Sequence, residues 1–267
     1  MRIVSLVPSH TEILFALGLE EQVAGVTANC DYPSEAMQKL KIGTFAYPDT
    51  AAIIALNPDL VVAGGGIHAS CVTKLRLAGI KVLDFLPQSV NNLFKFMEEI
   101  IELTGADRIG GPTVAMCKDK LLSIKEKTKH SARPRVMFIM GKNRLAIPGP
   151  ASCQYDALRI AGAGPVSLGE DVSCAPVTWE DIVDEDPEII LACGRSENQP
   201  LKKRCPGCTL ENRPCVQDAA EIFQHPFLRK VAAIKTKRVH AIPCHYLCRP
   251  GPRLFDGMMD LTRLFFS

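Results

Sequence analysis

The sequence predicts an α/β protein with two lobes, each a parallel-type sheet flanked by helices, joined by a long backbone helix. The first observation is that short β-rich runs alternate with amphipathic helical segments, as in β-α-β units. The second is a helix-rich stretch near the middle of the chain. The third is a segment of the second half that repeats one of the first half, which indicates two similar lobes rather than one continuous sheet.

The predicted N-terminal lobe covers residues 1–105. Its strands are short and apolar, and their sequences are "RIVSLV", "QVAGVT", "DLVVAGG" and "IKVLDF". A helix, "SHTEILFALG", follows the first strand. Ser9 and Glu12 have the spacing of a capping box there, and Gly18 supplies the C-terminal stop.

The connecting backbone helix is predicted over residues 106–132, and the C-terminal lobe over residues 133–267 with a cysteine-rich loop at 195–216. The repeat consists of "TAAIIALNPDLVVAGG" in the first lobe and "TWEDIVDEDPEIILACG" in the second. Each copy has a capped short helix, then a proline, then an apolar strand that ends in glycine. The two lobes are therefore expected to share a local architecture.

Composition argues against several classes of partner. Lysine plus arginine (31) nearly equals aspartate plus glutamate (29), so nothing favours nucleic acid or an acidic membrane surface. No stretch approaches the roughly 20 apolar residues of a membrane span, so we expect a protein that is not membrane-embedded. Because a strand follows Met1 at once, the chain as written is expected in the cytoplasm, and removal of a leader segment would place it outside.

Eleven cysteines are a high number for this chain, and in a reducing compartment they are thiols or metal ligands rather than disulfides. Ligands of open parallel sheets bind beyond the carboxyl ends of the strands. Six cysteines map to that edge: Cys30, Cys71, Cys153, Cys193, Cys244 and Cys248. Thiolates there suit a soft metal or an iron–sulfur cluster, and His10, His68 and His245 fall in comparable loops. For each cysteine alone, the alternative is a small buried side chain.

The cysteine-rich loop offers another candidate metal site. Cys205 and Cys208 form a C-x-x-C pair, and Cys215 follows. Because four ligands usually close a structural site, this spacing predicts zinc or a [4Fe-4S]-type cluster, with Cys193 or Cys174 as the fourth ligand. A redox dithiol is the competing interpretation.

One motif is typical of an enzyme. The segment "GGGIHA" matches G-x-G-x-x-A after a strand, and Asp84 ends the next strand, as in a dinucleotide-binding fingerprint. A dinucleotide-dependent oxidoreductase is therefore an alternative. It is disfavoured because this unit is not the first β-α-β of the chain and because glycine triplets also form plain turns.

Several stretches resemble the substrate-binding proteins of ABC-type importers for cobalamin, haem and iron chelates. They are "RIVSLVPSHTEILFALGL", "VAGVTANCDYP", "LNPDLVVAGG", "VTWEDIVDEDPEIILACG" and "RPGPRLFDGMMDL", and the resemblance omits only "RSENQPLKKRCPGCTLENRPC". Within that family the chain looks most like a cobalamin-binding branch whose members lack a signal peptide. It implies a class III periplasmic-binding-protein-like fold and a non-catalytic protein that binds a metal-containing ligand in a cleft between the lobes.

The resemblance also implies which residues line that cleft. By motif they are Phe45, Tyr47, Gly65, Gly66, His68, Met140, Lys142, Trp179, His245, Tyr246 and Arg249. Aromatic rings there would stack on a flat macrocycle or chelate, and arginine would pair with anionic groups. The alternative for Trp179 is core packing, and for Phe45 and Tyr47 it is anchoring of a loop.

The predicted partner is a small metal-containing ligand. Importer-coupled relatives present a carboxylate on each lobe to an ABC permease, and the first of these positions is Ala69 here, so a permease partner is disfavoured. Two hypotheses stay open. The chain binds a corrinoid, haem or iron chelate, or its cysteines hold an iron–sulfur cluster or zinc directly on the same fold.

Overall fold

The computed structural model describes residues 1–141, 144–193 and 222–267. The chain divides into two compact units: unit 1 contains residues 1–87 and 91–118, and unit 2 contains residues 88–90 and 119–267. Each unit has its own parallel sheet with accompanying helices. The predicted fold class, a two-lobed α/β protein, is thereby confirmed. The predicted division at residues 105 and 132 stays a prediction.

Unit 1 contains a five-stranded sheet in the order β3-β2-β1-β4-β5, and every neighbouring pair is parallel. This order places β1 at the centre, where β2 and β4 cover its two sides. The strands are β1 (Ile3–Ser5), β2 (Val23–Val26), β3 (Leu40–Lys41), β4 (Leu60–Ala63) and β5 (Val82–Asp84). The helices of this part are α1 (Pro8–Ala16), α2 (Thr50–Ala55), α3 (Ala69–Leu77) and α4 (Val90–Thr104).

A long helix, α5 (Asp107–Thr128), contains the point at which the chain leaves unit 1. It includes Pro112 within its first turns. Pro112 is the sixth residue of the helix, so its missing amide removes one intrahelical hydrogen bond, the one to the Arg108 carbonyl. The helix lies inside the stretch for which the sequence predicts a connecting helix.

Unit 2 contains a four-stranded parallel sheet in the order β11-β10-β6-β8, together with an antiparallel pair, β7 and β9. The strands are β6 (Arg135–Ile139), β7 (Ala146–Pro148), β8 (Gly164–Pro165), β9 (Cys174–Pro176), β10 (Ile189–Cys193) and β11 (Val239–Ile242). The helices are α6 (Cys153–Ile160), α7 (Trp179–Glu185), α8 (Ala232–Lys235) and α9 (Arg253–Phe265).

The central strands of both sheets are buried along their whole length. All four residues of β4 and all five of β10 are buried. This is expected of parallel strands covered on both faces, which appear in sequence as unbroken apolar runs. No helix in the described ranges is long and apolar enough to cross a membrane.

The two copies of the sequence repeat have the same local structure. The α2 helix is capped by Asp49 and α7 by Thr178, whose hydroxyl and Asp181 form a capping box. Each helix is followed by a non-glycine residue with positive φ, Asn57 (46°) and Asp186 (39°), directly before a proline. A buried strand then begins in each case. The similarity of the sequences therefore reflects one α-turn-β unit used twice.

The start of α1 differs from the prediction. Proline at position 8 is the first helical residue and Val7 precedes it, so no side chain caps this end. The fixed φ of proline favours the first helical position. Ser9 and Glu12 consequently lie within the helix, where both are buried, and the predicted capping box is wrong.

Candidate functional site

The carboxyl ends of the parallel strands define one candidate binding surface in each unit. We call the loops after β2, β3, β4 and β5 of unit 1 the first edge, and those after β6, β10 and β11 of unit 2 the second edge. The first edge consists of residues 27–30, 42–49, 64–68 and 85–87, and the second edge of residues 140–141, 193 and 243–249.

His68 joins two loops of the first edge. Its Nδ1 accepts a hydrogen bond from the Gly64 amide at 2.9 Å, and its Nε2 lies 2.7 Å from the Phe45 carbonyl oxygen. Because Nδ1 is the acceptor, Nε2 carries the proton and donates it to that carbonyl. The ring is buried, and this burial lowers the pKa of His68. A neutral imidazole therefore holds these loops, and His68 acts here as a structural residue.

Two further hydrogen bonds fix the backbone of the same loops. The Phe45 amide donates to the side chain of Asn29 at 2.7 Å, and the Gly65 amide donates to the Asp84 carboxylate at 2.7 Å. Gly65 has a φ of 73°, a conformation that favours glycine. In a dinucleotide site the carboxylate at the end of this strand would bind ribose. Here Asp84 instead accepts from the glycine turn itself.

The first edge presents large apolar side chains to solvent. Tyr47 is 71% exposed, Leu86 60% and Ile67 42%, and Phe45 is half-buried against the ring of His68 at 5.3 Å. A Cβ placed at Gly65 would lie 3.2 Å from the Cβ of Leu86, which shows that the loops after β4 and β5 touch. Hydrogen bonds join the β3 and β4 loops, so the exposed side chains lie on connected loops with a fixed backbone.

Leu86 was missed by sequence reasoning. It lies two residues beyond the end of β5, in the same kind of position as the glycines that follow β4. The signal was an apolar residue after a complete strand and directly before Pro87. A large apolar residue just beyond the end of a parallel strand is a candidate for a ligand contact, because it is exposed unless something covers it.

His10 lies in α1 rather than in a loop. It is fully buried, and its ring packs against that of Phe96 with centroids 4.5 Å apart and the two planes tilted by 49°. Among the described residues neither ring nitrogen has a hydrogen-bond partner. Burial, with a smaller contribution from nearby His68, lowers the pKa of His10 to about 3. His10 is therefore a neutral core side chain, and the interpretation of it as a loop ligand is wrong.

Cys30 and Cys71 are buried thiols of unit 1. The Thr11 hydroxyl donates to the Cys30 sulfur at 3.0 Å and the Thr27 hydroxyl lies 3.3 Å from it, while burial raises the pKa of Cys30. Cys71 lies in α3 rather than in a loop and packs in the unit 1 core. A protonated, buried thiol is a poor metal ligand because binding requires the thiolate. The structure supports the alternative interpretation of both residues as small buried side chains.

Cys153 is likewise a core residue. It is the first residue of α6, it is 1% exposed, and burial raises its pKa to about 12. Within residues 1–141, 144–193 and 222–267, no group of three or more histidine, cysteine or acidic side chains has the geometry to hold a metal ion. Cys205, Cys208 and Cys215 lie outside the described residues. The predicted cysteine-bound metal site therefore gains no support from this structure.

The second edge carries the other three predicted thiols. The sulfur of Cys193, the last residue of β10, lies 3.2 Å from the sulfur of Cys244 and 3.8 Å from that of Cys248. The rings of His245 and Tyr246 meet edge to face at 5.1 Å. This edge is therefore dominated by sulfur, in contrast to the apolar first edge.

Tyr246 and Arg249 complete the second edge. The Tyr246 hydroxyl donates to the Asp260 carboxylate at 2.6 Å, and this bond, with some burial, raises the pKa of the phenol to about 12. Arg249 is 8% exposed, and it follows the thiol cluster directly in the chain. Both side chains are held by unit 2, and their predicted contact with a ligand stays a prediction.

Two other predicted ligand residues also belong to unit 2. Met140 is half-buried at the end of β6, where its backbone exchanges two hydrogen bonds with Ala146. Trp179 begins α7, packs against the unit 2 core and stacks on His225 with ring centroids 3.8 Å apart. The position of Trp179 fits the alternative, core packing. Lys142 lies outside the described residues.

Curated proteins of similar sequence are substrate-binding proteins by name. The chain is 28% identical to an uncharacterized ABC transporter substrate-binding lipoprotein, YvrC of Bacillus subtilis, over 99% of this chain and 80% of that protein. It is 26% identical to a cobalamin-binding protein of Halobacterium salinarum, over 100% of this chain and 69% of that protein. Both matches extend through unit 1 and unit 2.

Solved structures of low sequence identity share the fold. The haem-binding protein RhuT of Roseiflexus, a periplasmic protein, superposes with a TM-score of 0.80 at 23% identity, covering 99% of this chain and 97% of that one. The periplasmic vitamin B12-binding protein BtuF of Vibrio cholerae gives 0.82 at 18% identity, covering 99% and 96%. The model of the family described as periplasmic binding protein matches residues 3–246. This chain belongs to the periplasmic binding protein family.

Proposed function

We propose that this protein binds a flat metal-containing ligand, a corrinoid, a haem or an iron chelate, without catalysing a reaction on it. The observation that carries the proposal is the group of exposed apolar side chains on the first edge, Tyr47, Ile67 and Leu86, beside half-buried Phe45. Relatives of similar sequence are named for binding cobalamin, which supports this class of ligand. Membership of a family of binding proteins supports a function without catalysis.

The physical argument begins with the cost of exposing apolar surface. A cluster of exposed apolar side chains is favourable in a soluble unit chiefly when a ligand or partner covers it. Aromatic rings such as Tyr47 and Phe45 stack well on flat conjugated molecules. The surface is also preformed, because Asn29 and Asp84 accept hydrogen bonds from backbone amides of these loops and the His68 ring donates one to the Phe45 carbonyl. A preformed site loses less entropy on binding.

The second edge would supply polar contacts. We propose that His245, Tyr246 and Arg249 contribute to ligand binding, with the arginine placed to pair with anionic groups such as propionate or phosphate. Met140, Trp179 and Lys142 are further proposed contacts that rest on the family resemblance. Gly65, Gly66 and His68 are likewise proposed to line the ligand site, where the His68 ring also holds the loops after β3 and β4 together.

The test is titration of the purified protein with haemin, cobalamin and a ferric chelate, followed by absorbance. The double variant Tyr47→Ala, Leu86→Ala should weaken binding of the recognised ligand at least about 100-fold, since each apolar side chain that the ligand buries contributes roughly 1.5–3 kcal/mol. Leu77→Ala is the matched control: Leu77 is 84% exposed but lies at the end of α3, before β5 rather than after it. Equal affinity in the double variant and the control would refute the assigned surface.

The alternatives make different predictions in the same preparation. A cysteine-held iron–sulfur cluster or zinc would appear as stoichiometric metal before any ligand is added. A dinucleotide-dependent enzyme would be stabilised by NAD, because a ligand of the folded state raises Tm. Engagement of Asp84 by the Gly65 amide gives that alternative no support. Binding of none of the three metal-containing ligands would overturn the proposed function.

The location of the protein in the cell and its partner are also proposed from the names of its relatives. One relative is named a lipoprotein and two similar structures are named periplasmic, which favours a position outside the cytoplasm over the predicted cytoplasmic one. A permease partner is compatible with the name of that lipoprotein. Ala69, which is exposed at the start of α3, offers no charge for such a contact in unit 1.

A further inference from the structure

Three thiols of the second edge meet around Cys193. The Cys193 sulfur lies 3.2 Å from that of Cys244, and Cys248 directs its thiol to the Cys193 sulfur at 3.8 Å. Cys193 pairs in register with Ile242, the last residue of the neighbouring strand β11. Cys244 lies two residues beyond Ile242, in the loop that follows β11. Cys193 is 4% exposed, while Cys244 and Cys248 are half-buried. The cluster thus has a buried centre and accessible members.

We propose that Cys193 and Cys244 form a reversible disulfide when the protein meets a small-molecule disulfide such as oxidised glutathione. The sulfur atoms must approach by roughly 1.2 Å to reach the covalent distance of about 2.05 Å. Cys244 begins a short 3-10 turn, Cys244–Tyr246, rather than a strand, so it can adjust without breaking the sheet ladder.

The exchange proceeds in two balanced steps. The Cys244 thiol gives its proton to solvent, and its sulfur attacks one sulfur of the small disulfide, breaking that S–S bond and releasing one small thiolate. The Cys193 thiol then loses its proton, and its sulfur attacks Cys244 Sγ, which releases the second small thiolate. Two electrons pass from the two cysteines to the small disulfide, and two protons are taken up by the released thiolates.

Cys30 and Cys153 are less suited to this reaction than Cys244. Cys30 and Cys153 are at most 1% exposed, and threonine hydroxyls contact the sulfur of Cys30. Cys248 lies further from Cys193 than Cys244 does, so it is the slower substitute. Cys193 contacts both Cys244 and Cys248, so a disulfide formed at either of these contacts includes Cys193.

A disulfide here would also affect ligand binding. The turn that begins with Cys244 carries His245 and Tyr246, both proposed ligand contacts. Closing the bond would restrain that turn, so we expect the oxidised and reduced proteins to differ in ligand affinity. This consequence rests on the proposed function, whereas formation of the disulfide does not.

The experiment begins with fully reduced, metal-analysed protein titrated with oxidised glutathione. Remaining thiols are alkylated, and peptide masses identify the linked pair. We expect a Cys193–Cys244 linkage and the loss of two thiols per chain. Cys193→Ser, or Cys193→Ala if serine impairs folding, should abolish it. Cys248→Ser should leave the yield within about two-fold, and Cys244→Ser should give a slower Cys193–Cys248 linkage. Cys71→Ser is the control thiol from unit 1.

Three results would overturn the proposal: Cys193 stays free at every oxidant concentration, Cys193 links only to cysteines outside this cluster, or zinc or iron bound to the purified protein shields these thiols. Ligand titration of both redox forms follows. Equal affinity of the two forms would remove the coupling to the ligand. Failure of both forms to bind haemin, cobalamin and the ferric chelate would refute the proposed function and leave the linkage result intact.

Discussion

The two sheet edges of this protein occupy equivalent positions in similar folds but carry different chemistry. The first edge exposes large apolar side chains. Hydrogen bonds to Asp84 and to the neutral ring of His68 hold the loops that carry them. The second edge gathers three thiols and a tyrosine that is engaged by Asp260. Because strand ends in parallel sheets are free of ladder constraints, each unit can vary these residues without altering its sheet.

The two edges differ in how far residues that could bind a ligand also stabilise the fold. Side chains exposed on the first edge make few contacts with their own unit, so their substitution should alter binding more than folding. Side chains of the second edge are partly committed to unit 2, so substitutions there combine both effects. The following predictions test that separation, beginning with the largest expected change in the free energy of unfolding.

The largest expected effect concerns His10 and pH. The pKa of His10 is lowered to about 3 in the folded state against 6.5 unfolded, so both states are neutral above pH 6.5. As pH falls below 6.5, only the unfolded chain takes up this proton. The free energy of unfolding should therefore fall by about 3 kcal/mol by about pH 4.5 and by about 4 kcal/mol near pH 3.

Urea denaturation of the wild type and His10→Met at pH 7 and pH 4.5 measures this effect. The variant fills the site with an apolar side chain that does not titrate, so the part of the acid loss due to His10 should disappear. Acid sensitivity from His68 and the carboxylates remains in both proteins and cancels in the comparison. An identical acid loss in the two proteins would show that His10 is protonated inside the folded unit.

A glycine pair compares the packing of the edges. A Cβ at Gly257 of α9 would lie 2.6 Å from the Tyr246 Cα, whereas a Cβ at Gly66 of the first edge meets nothing within 4 Å. Gly257→Ala should therefore cost about 1–3 kcal/mol of unfolding free energy through overpacking. Gly66→Ala should leave it almost unchanged. Thermal unfolding monitored by circular dichroism compares them, and equal Tm values would contradict the close packing of α9 on the second edge.

The smallest expected effect concerns two tyrosine hydroxyls. Tyr246→Phe removes the 2.6 Å hydrogen bond to Asp260 and should cost about 1 kcal/mol of unfolding free energy. Tyr47→Phe removes a hydroxyl from a side chain that is 71% exposed, so unfolding should not change. Chemical denaturation of both variants tests the contrast. A loss of stability in Tyr47→Phe equal to that in Tyr246→Phe would contradict the view that first-edge side chains are free of structural commitments.

Much of the fold could be predicted because its signals are local. Apolar runs such as "DLVVAGG" predicted β4, and Thr178 with Asp181 formed the expected kind of helix cap. The repeat predicted matching units because one stretch of sequence encodes the cap, the turn and the strand together. The predicted start of α1 was wrong because both proline at position 8 and the serine after it are typical of a helix beginning. The helix begins at the proline.

The candidate site was predicted less completely. Placement of Cys193 at a strand end followed from the order of the elements, and the choice of Phe45 and Tyr47 followed from the family resemblance. The state of His10, Cys30 and Cys153 did not, because a sequence near a strand end gives no measure of burial, and all three are at most 1% exposed. Leu86 escaped notice because an apolar residue before a proline has no distinctive pattern.

The sequence by itself determined the α/β alternation, the twofold use of one α-turn-β unit and the family. The first two depend on periodicity, caps and turn residues that act over a few positions, and the family is recognised from sequence stretches along nearly the whole chain. Only the tertiary structure decided the strand orders, the tautomer of His68, the contact of buried Cys30 with Thr11 and the meeting of Cys193 with Cys244 and Cys248. Those features join residues far apart in the chain, and packing alone fixes which of them meet.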